Sequence, residues 1–269
     1  MMKFQRYPFR LGTTSYIVPD EIIPNVRYLA GRVQDIELVL FESDEFSNLP
    51  SEGDISQLVE LAGANDLTYS VHLPLDVYLG HPDRHERERS VGKCLRIIEL
   101  VQRLPKSAYV MHFESGPGVD INAFTPDETA GFVAGLRDSS GMLLGGCSEP
   151  AGMFCAENLN YPFETVWPVV EESGFSVTLD VGHLEYYGFP VGEYLDRYLK
   201  RAKVLHMHGT TEGRDHNSLA FMRTVALDLV VEALAKLEAA GEHERVFTLE
   251  IFSQADLESS VTALQRYLR

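Results

Sequence analysis

Eight apolar, strand-like runs alternate with helix-like segments along the 269 residues, and six of the runs end on a residue able to bind a metal. Read in order, those ends are His72 (LTYSVHLP), His112 (AYVMHFES), Glu157 (FCAENLN), Asp180 with His183 (VTLDVGH), His206 with His208 (KVLHMHG) and Glu250 (FTLEIF). Asp215 and His216 follow in the next loop. Imidazoles and carboxylates are the ligands that zinc or manganese selects. A polar insertion at the same end of six strands has no ready explanation in packing.

The alternation itself restricts the fold. The runs begin near Arg10, Asp35, Leu67, Ala108, Met153, Phe175, Ala202 and Arg245. Between them, PDEIIPNVRYLAG has Pro19 near a helix start and Gly31 at its close, and SEGDISQLVELAGA spaces Ile55, Leu58, Val59 and Leu61 near helical period. YPFETVWPVVEES is the weakest helix, because Pro168 interrupts it. Strands alternating with helices imply right-handed crossovers and a parallel sheet. Eight such units imply an α/β fold, a closed (β/α)8 barrel, whose chemistry sits at the C-terminal ends of the strands. An open doubly wound sheet would normally show a GxGxxG turn, which LGTTSY lacks.

No Pro-, Gly- or Ser-rich linker divides the chain, so residues 1–269 read as one domain. Forty acidic against 23 basic residues give a net charge of -17, which disfavours nucleic acid and anionic membrane surfaces and leaves a small-molecule substrate. The start MMKFQRYPFRLGTTSY has no leader-like apolar stretch, and no run reaches membrane-spanning length. Cys94, Cys147 and Cys155 form no CxxC pair and read as reduced thiols of a cytoplasmic protein. Cys155 shares a strand face with Glu157, but a small core residue explains it better than a ligand does.

Each candidate has a bland reading. His72 and His112 can be satisfied rim histidines, although their place on consecutive strands before Glu157 argues for two imidazoles and a carboxylate around one ion. Glu157 can be half of a salt bridge; a carboxylate bridging two ions fits its central position better. Gly182 permits a sharp turn that would swing His183 over the mouth. His206 and His208 point to one side of their strand, one toward metal and the other toward substrate. Asp215 and His216 can be an ordinary turn or ligands of a further ion. Glu250 joins the set because the other strands already supply ligands. Glu157, Glu250 and His208 are the candidates for catalysis. Glu42 ends the second run and is a possible pocket residue. Arg84, Arg87 and Arg89 read as a solvated helical face, with an anion clamp the alternative, and Tyr16 and Tyr78 as rim or stacking groups.

These residues resemble the xylose isomerase-like superfamily of TIM barrels, which includes endonuclease IV and sugar isomerases and epimerases. The resemblance spans nearly the whole chain. It implies that His72, His112, Glu157, Asp180, His183, His206, Asp215 or His216, and Glu250 hold divalent ions, zinc first and manganese as the alternative. The endonuclease branch has His-x-Asn-Asp on strand seven, where this chain has His206-Met207-His208-Gly209, and Asp-x-His in the next loop, where Asp215 and His216 are adjacent. The segments LGTTSYIVPDEIIPNVRYLAG, DIELVLFES and YSVHLPLDVYLG look like those of the cobamide-remodeling phosphodiesterases. That resemblance implies metal-assisted hydrolysis of the cobamide nucleotide-loop phosphodiester, releasing an α-riboside. The alternatives are a sugar-phosphate isomerase or epimerase, an abasic-site endonuclease, and a non-catalytic corrinoid-binding barrel.

Overall fold

A computed structural model describes residues 7–43, 46–242 and 245–268. Residues 1–6, where the reading for a leader begins, lie outside it, as do both ends of the single domain expected over 1–269.

The strands and helices alternate as the sequence implies. In chain order they are β1 (Arg10–Thr14), α1 (Ile22–Leu29), β2 (Asp35–Val39), α2 (Glu52–Asn65), β3 (Thr68–His72), α3 (Arg84–Leu100), β4 (Lys106–Met111) and α4 (Pro126–Gly146). Then come β5 (Phe154–Glu157), α5 (Trp167–Ser173), β6 (Ser176–Asp180), α6 (Val181–Tyr187), α7 (Val191–Tyr198) and β7 (Ala202–Met207). A hairpin of β8 (Gly209–Thr211) and β9 (Arg214–Asn217), then α8 (Thr224–Ala239), β10 (Val246–Leu249) and α9 (Gln254–Leu264), complete the set. Eight strands close in the order β1-β10-β7-β6-β5-β4-β3-β2, every neighbour parallel. The fold is the expected (β/α)8 barrel. Among the described residues, no helix is long and apolar enough to cross a membrane.

Period-two alternation sorts each strand. On β2, Ile36 and Leu38 join the large core between strands and helices, while Asp35 and Glu37 take the alternate positions. A separate cluster of Ala108, Cys155, Val204 and Val246, one from each of β4, β5, β7 and β10, packs on the other face of the sheet. The polar residues lie further along the same strands. Asp35 is fully buried yet satisfied, accepting from Ser70 N, Ser70 Oγ and Thr68 Oγ1 at 3.0, 2.7 and 2.6 Å.

Helix starts follow from local chemistry. Ser51 with Asp54 and Thr125 with Glu128 form reciprocal capping boxes on α2 and α4. Pro168 does not break a helix as expected. The segment divides into a 3-10 turn at Phe163–Thr165 and then α5, with Pro168 in the first turn of α5, where a missing N–H costs nothing. Pro19 precedes α1 by three residues, whereas Gly31, at φ 76°, closes that helix as expected.

Candidate metal centre

The C-terminal ends of six barrel strands bring nine of the sequence candidates together. Their donor atoms fall into three groups: His72, His112 and Glu157; Glu157, Asp180, His206 and Glu250; and His183, His208 and His216. Glu157 belongs to the first two, the place foreseen for a bridging carboxylate. Its Oε2 is 3.1 Å from His112 Nε2 and 3.7 Å from His72 Nε2, while Oε1 is 3.4 Å from His206 Nδ1 and 3.5 Å from His183 Nδ1. Glu250 joins the second group to the third, its Oε2 lying 3.2 Å from His206 Nδ1 and 3.3 Å from His216 Nε2.

Supporting contacts fix the rings. His72 places Nδ1 2.8 Å from the Leu73 carbonyl, which turns Nε2 toward Glu157. His206 places Nε2 2.9 Å from Glu37 Oε2, which leaves Nδ1 facing Glu157 and Glu250. A carboxylate behind a ligating imidazole sets its tautomer and raises its basicity. Glu37 was not among the candidates. Its trace in the sequence is an acid at an alternate position of DIELV, opposite Ile36 and Leu38. Asn158 was missed as well: its side chain donates to Asp180 O at 2.9 Å and accepts from Asp180 N at 2.8 Å, clamping the end of β6 to β5.

Gly182 has a different purpose from the one expected. It lies within α6, capped by Asp180 accepting from His183 N at 2.7 Å, and makes no left-handed turn. A Cβ there would meet the His208 ring at 2.2 Å. Glycine is required because an imidazole rests on the bare backbone. His208 is fully buried and its Nδ1 accepts from His216 N at 3.0 Å, so the ring sits with the third group and presents no surface to a substrate. His216 stands at φ 52°, a strained conformation for a residue with a side chain. Asp215 is outside the three groups; its Oδ1 lies 3.0 Å from His216 Nδ1.

Other candidates fall away from the centre. β2 ends before Glu42, which pairs with Arg96 at 2.9 Å. Arg84 pairs with Glu88 and Arg89 with Glu86 on a solvated face, whereas Arg87 is mostly buried between Asp138 and the His81 carbonyl and belongs to neither reading. Cys155 is buried, and burial pushes its thiol up to about 12, so it is no thiolate ligand. Tyr16 lines an open groove of about 610 Å³ with Phe46 and Phe252. Phe252 also borders the hollow containing Asp215 and His216, so groove and metal centre share a wall. Tyr78 does not line the groove.

Burial alone drives these imidazoles toward the neutral form, yet the facing carboxylates outweigh it. Glu157 and Glu114 lift His112 to about 9, Asp180 and Glu157 lift His183 to about 10, and Glu250 with Asp180 lifts His216 to about 9. Glu250, Glu37 and Glu157 raise His206 well above its usual value. In turn, although burial opposes it, the histidines hold the Glu157, Asp180 and Glu250 carboxyls well below the usual range. The set nevertheless remains incomplete. Glu157 Oε1, Asp180 Oδ2, His206 Nδ1, His208 Nε2 and Glu250 Oε2 are buried and face oppositely charged groups at 2.9–3.4 Å, but make no well-aligned hydrogen bond. Five converging atoms of this kind fit divalent cations.

Residues 33–269 match the family described as xylose isomerase-like TIM barrel. The chain belongs to that family. No curated protein matches it. Among solved structures, a D-tagatose 3-epimerase-like protein superposes with a TM-score of 0.75 at 18% identity, covering 96% of each chain. A 3-keto-D-glucoside 4-epimerase from E. coli gives 0.72 at 13% identity, over 96% of this chain and 98% of that one. Endonuclease IV from Thermus thermophilus gives 0.68 at 19% identity, again over 96% and 98%. At these identities the likeness is one of fold.

Proposed function

We propose that this family member is a metal-dependent hydrolase of a phosphodiester. The observation that carries the reading is the number of donor groups: three, with Glu157 shared between two of them. One-ion sugar chemistry would use a single group as ligands and leave His72, His112, His183, His208 and His216 to substrate contacts or proton transfer. Divalent ions there would supply Lewis acidity, easing deprotonation of water and offsetting charge on phosphoryl oxygens.

The chain's own residues do the rest. Glu157 and Glu250 hold the three groups together. Glu37 and Leu73 orient His206 and His72. His216, with its side chain 25% exposed, is the most open of the nine and would contact the phosphoryl oxygens, with His112 and His183 beside it at 13% and 11%. The groove beside Phe252 would take the non-reacting part of the substrate. The cobamide nucleotide loop is the candidate substrate; its support is the likeness of YSVHLPLDVYLG and DIELVLFES together with that aromatic groove.

A second reading, a ketose-sugar epimerase or isomerase, draws on the group of Glu157, Asp180, His206 and Glu250, sufficient for one ion, and on the epimerases among the similar folds. The test is product analysis of metal-loaded protein incubated in parallel with adenosylcobalamin, a ketose panel and abasic DNA. Release of an α-riboside supports the cobamide reading. Epimerised sugar with intact phosphodiesters would replace hydrolysis by the second reading.

A further inference from the structure

At the opposite end of the barrel, the starts of β1, β3, β4, β6, β7 and β10 surround a cavity of about 640 Å³. That volume suits a small-molecule ligand. Among the described residues, five basic ones line it, Arg10, Lys200, Arg201, Lys203 and Arg245, and no acidic one does. This is a chain with a net charge of -17, so the segregation runs against its composition.

Arg10 and Arg245 are held by local acceptors, Arg10 Nη2 donating to the Gln34 and Asp66 carbonyls at 2.8 and 3.0 Å and Arg245 Nε to the Ala202 carbonyl at 3.1 Å. Among the described residues, that leaves Lys200, Arg201 and Lys203 as the lining cations without a countercharge. Arg10 Nη1 is 4.0 Å from Asp66 Oδ2, whose side chain is 88% exposed, and Arg245 pairs with Glu242 at 2.9 Å. Arg201 donates to the Phe175 carbonyl at 2.7 Å and lies 5.8 Å from the centre of the Trp167 ring. Lys203 Nζ reaches Met153 Sδ at 3.4 Å, a weak acceptor. Among the described residues, Lys200, Arg201 and Lys203 have no carboxylate partner. Two further atoms of lining residues, Arg10 Nε and Ser107 Oγ, are buried without a hydrogen-bond partner. Like charges crowded in one concavity, three of them without a carboxylate, suit an anion with several acceptor oxygens.

We infer that this cavity is a second ligand site, distinct from the metal centre, for a soluble phosphorylated small molecule carrying at least two negative charges. Phosphate oxygens would accept from Lys200, Lys203 and Arg201, and Phe175, Ala202 and Val246 would meet the carbon skeleton. The site shares β3, β4, β6, β7 and β10 with the metal centre but none of its residues.

The test titrates fructose 1,6-bisphosphate into metal-loaded protein at constant ionic strength. Calorimetry and the fluorescence of Trp167, the single tryptophan, read the binding. The expected result is saturable binding that weakens about tenfold or more in the Lys200→Ala/Lys203→Ala double variant. Lys203→Arg should retain it, and so should Glu157→Gln. Absence of saturable binding would overturn the inference. So would binding lost in Glu157→Gln but untouched by the lysine substitutions, or co-sedimentation with phosphatidate vesicles without binding of the soluble bisphosphate.

Discussion

The two ends of the barrel solve opposite electrostatic problems on the same strands. At the C-terminal end, carboxylates and imidazoles are buried and face one another, yet five of their atoms make no aligned hydrogen bond. At the N-terminal end, basic side chains crowd an open cavity and acidic ones stand outside it. On β7, His206 belongs to the first end and Lys203 to the second, three residues apart. The comparison shows how little of a strand is needed to change its chemistry. Packing demands concern the apolar residues between, and the ends are released for binding.

The largest effect expected at the metal end is that of Glu157→Gln. Neutralising the shared carboxylate should remove at least one ion per chain by elemental analysis. Activity should fall by more than the roughly 100-fold that loss of a supporting residue costs. Glu42→Gln, whose carboxylate pairs with Arg96, should change neither. Equal and mild effects would show that the bridge is misplaced.

Glu37→Gln comes next. It keeps the shape behind His206 but weakens the acceptor, so metal affinity measured by competition with a chelator should drop about 10- to 100-fold. An unchanged affinity would mean that Glu37 only fills space.

The ends should also differ in their response to pH. His112, His183 and His216 have values raised from 6.5 to about 9, 10 and 9 in the metal-free fold. Their contribution to stability is full below 6.5 and is lost as pH rises through 9–10. The depressed carboxyls of Glu157 and Glu250 contribute above 4.5 and lose that contribution as pH falls through their folded values. The melting temperature of chelator-treated protein should therefore decline on both the acid and the alkaline side. Metal affinity should rise between about pH 6 and 9 by about tenfold per unit for each proton displaced. A flat affinity across that range would mean that the histidines are neutral before metal enters.

Asp215→Asn should have the smallest effect. Its contact with His216 is partly exposed, and such pairs are worth about 0–1 kcal/mol, so third-group affinity should change no more than about fivefold. A loss as large as that of Glu157→Gln would make Asp215 a ligand.

The barrel was legible because its evidence is repetitive: eight apolar runs, each separated by a helical stretch. The ligand positions were legible because a histidine or an acid at the end of an apolar run stands out. Glu37 was harder to see. It lies in the middle of β2, beside Asp35, and only the closed barrel shows that it faces a histidine on β7. Gly182 was noticed for the wrong reason, since its need for a bare backbone comes from a ring 26 residues further along the chain, a contact that no local pattern contains. The hairpin of β8 and β9 was read as plain loop because its strands are short and polar. Net charge also concealed the basic cavity, because a sum over the chain hides where the charges collect.

Glu37 and His206 are 169 residues apart, and β1 and β10 lie between their strands in the wall. Their contact therefore needs the sheet curled round until its two edges approach. Loop-closure entropy for so long a separation must be met before the contact gives anything back. Tight metal capture would then begin only when the last strands join the ring. A coloured substitute such as cobalt(II), added during refolding, would report that moment directly. The spectroscopic signal of the occupied second group should lag the recovery of helical circular dichroism, making the ion a clock for closure.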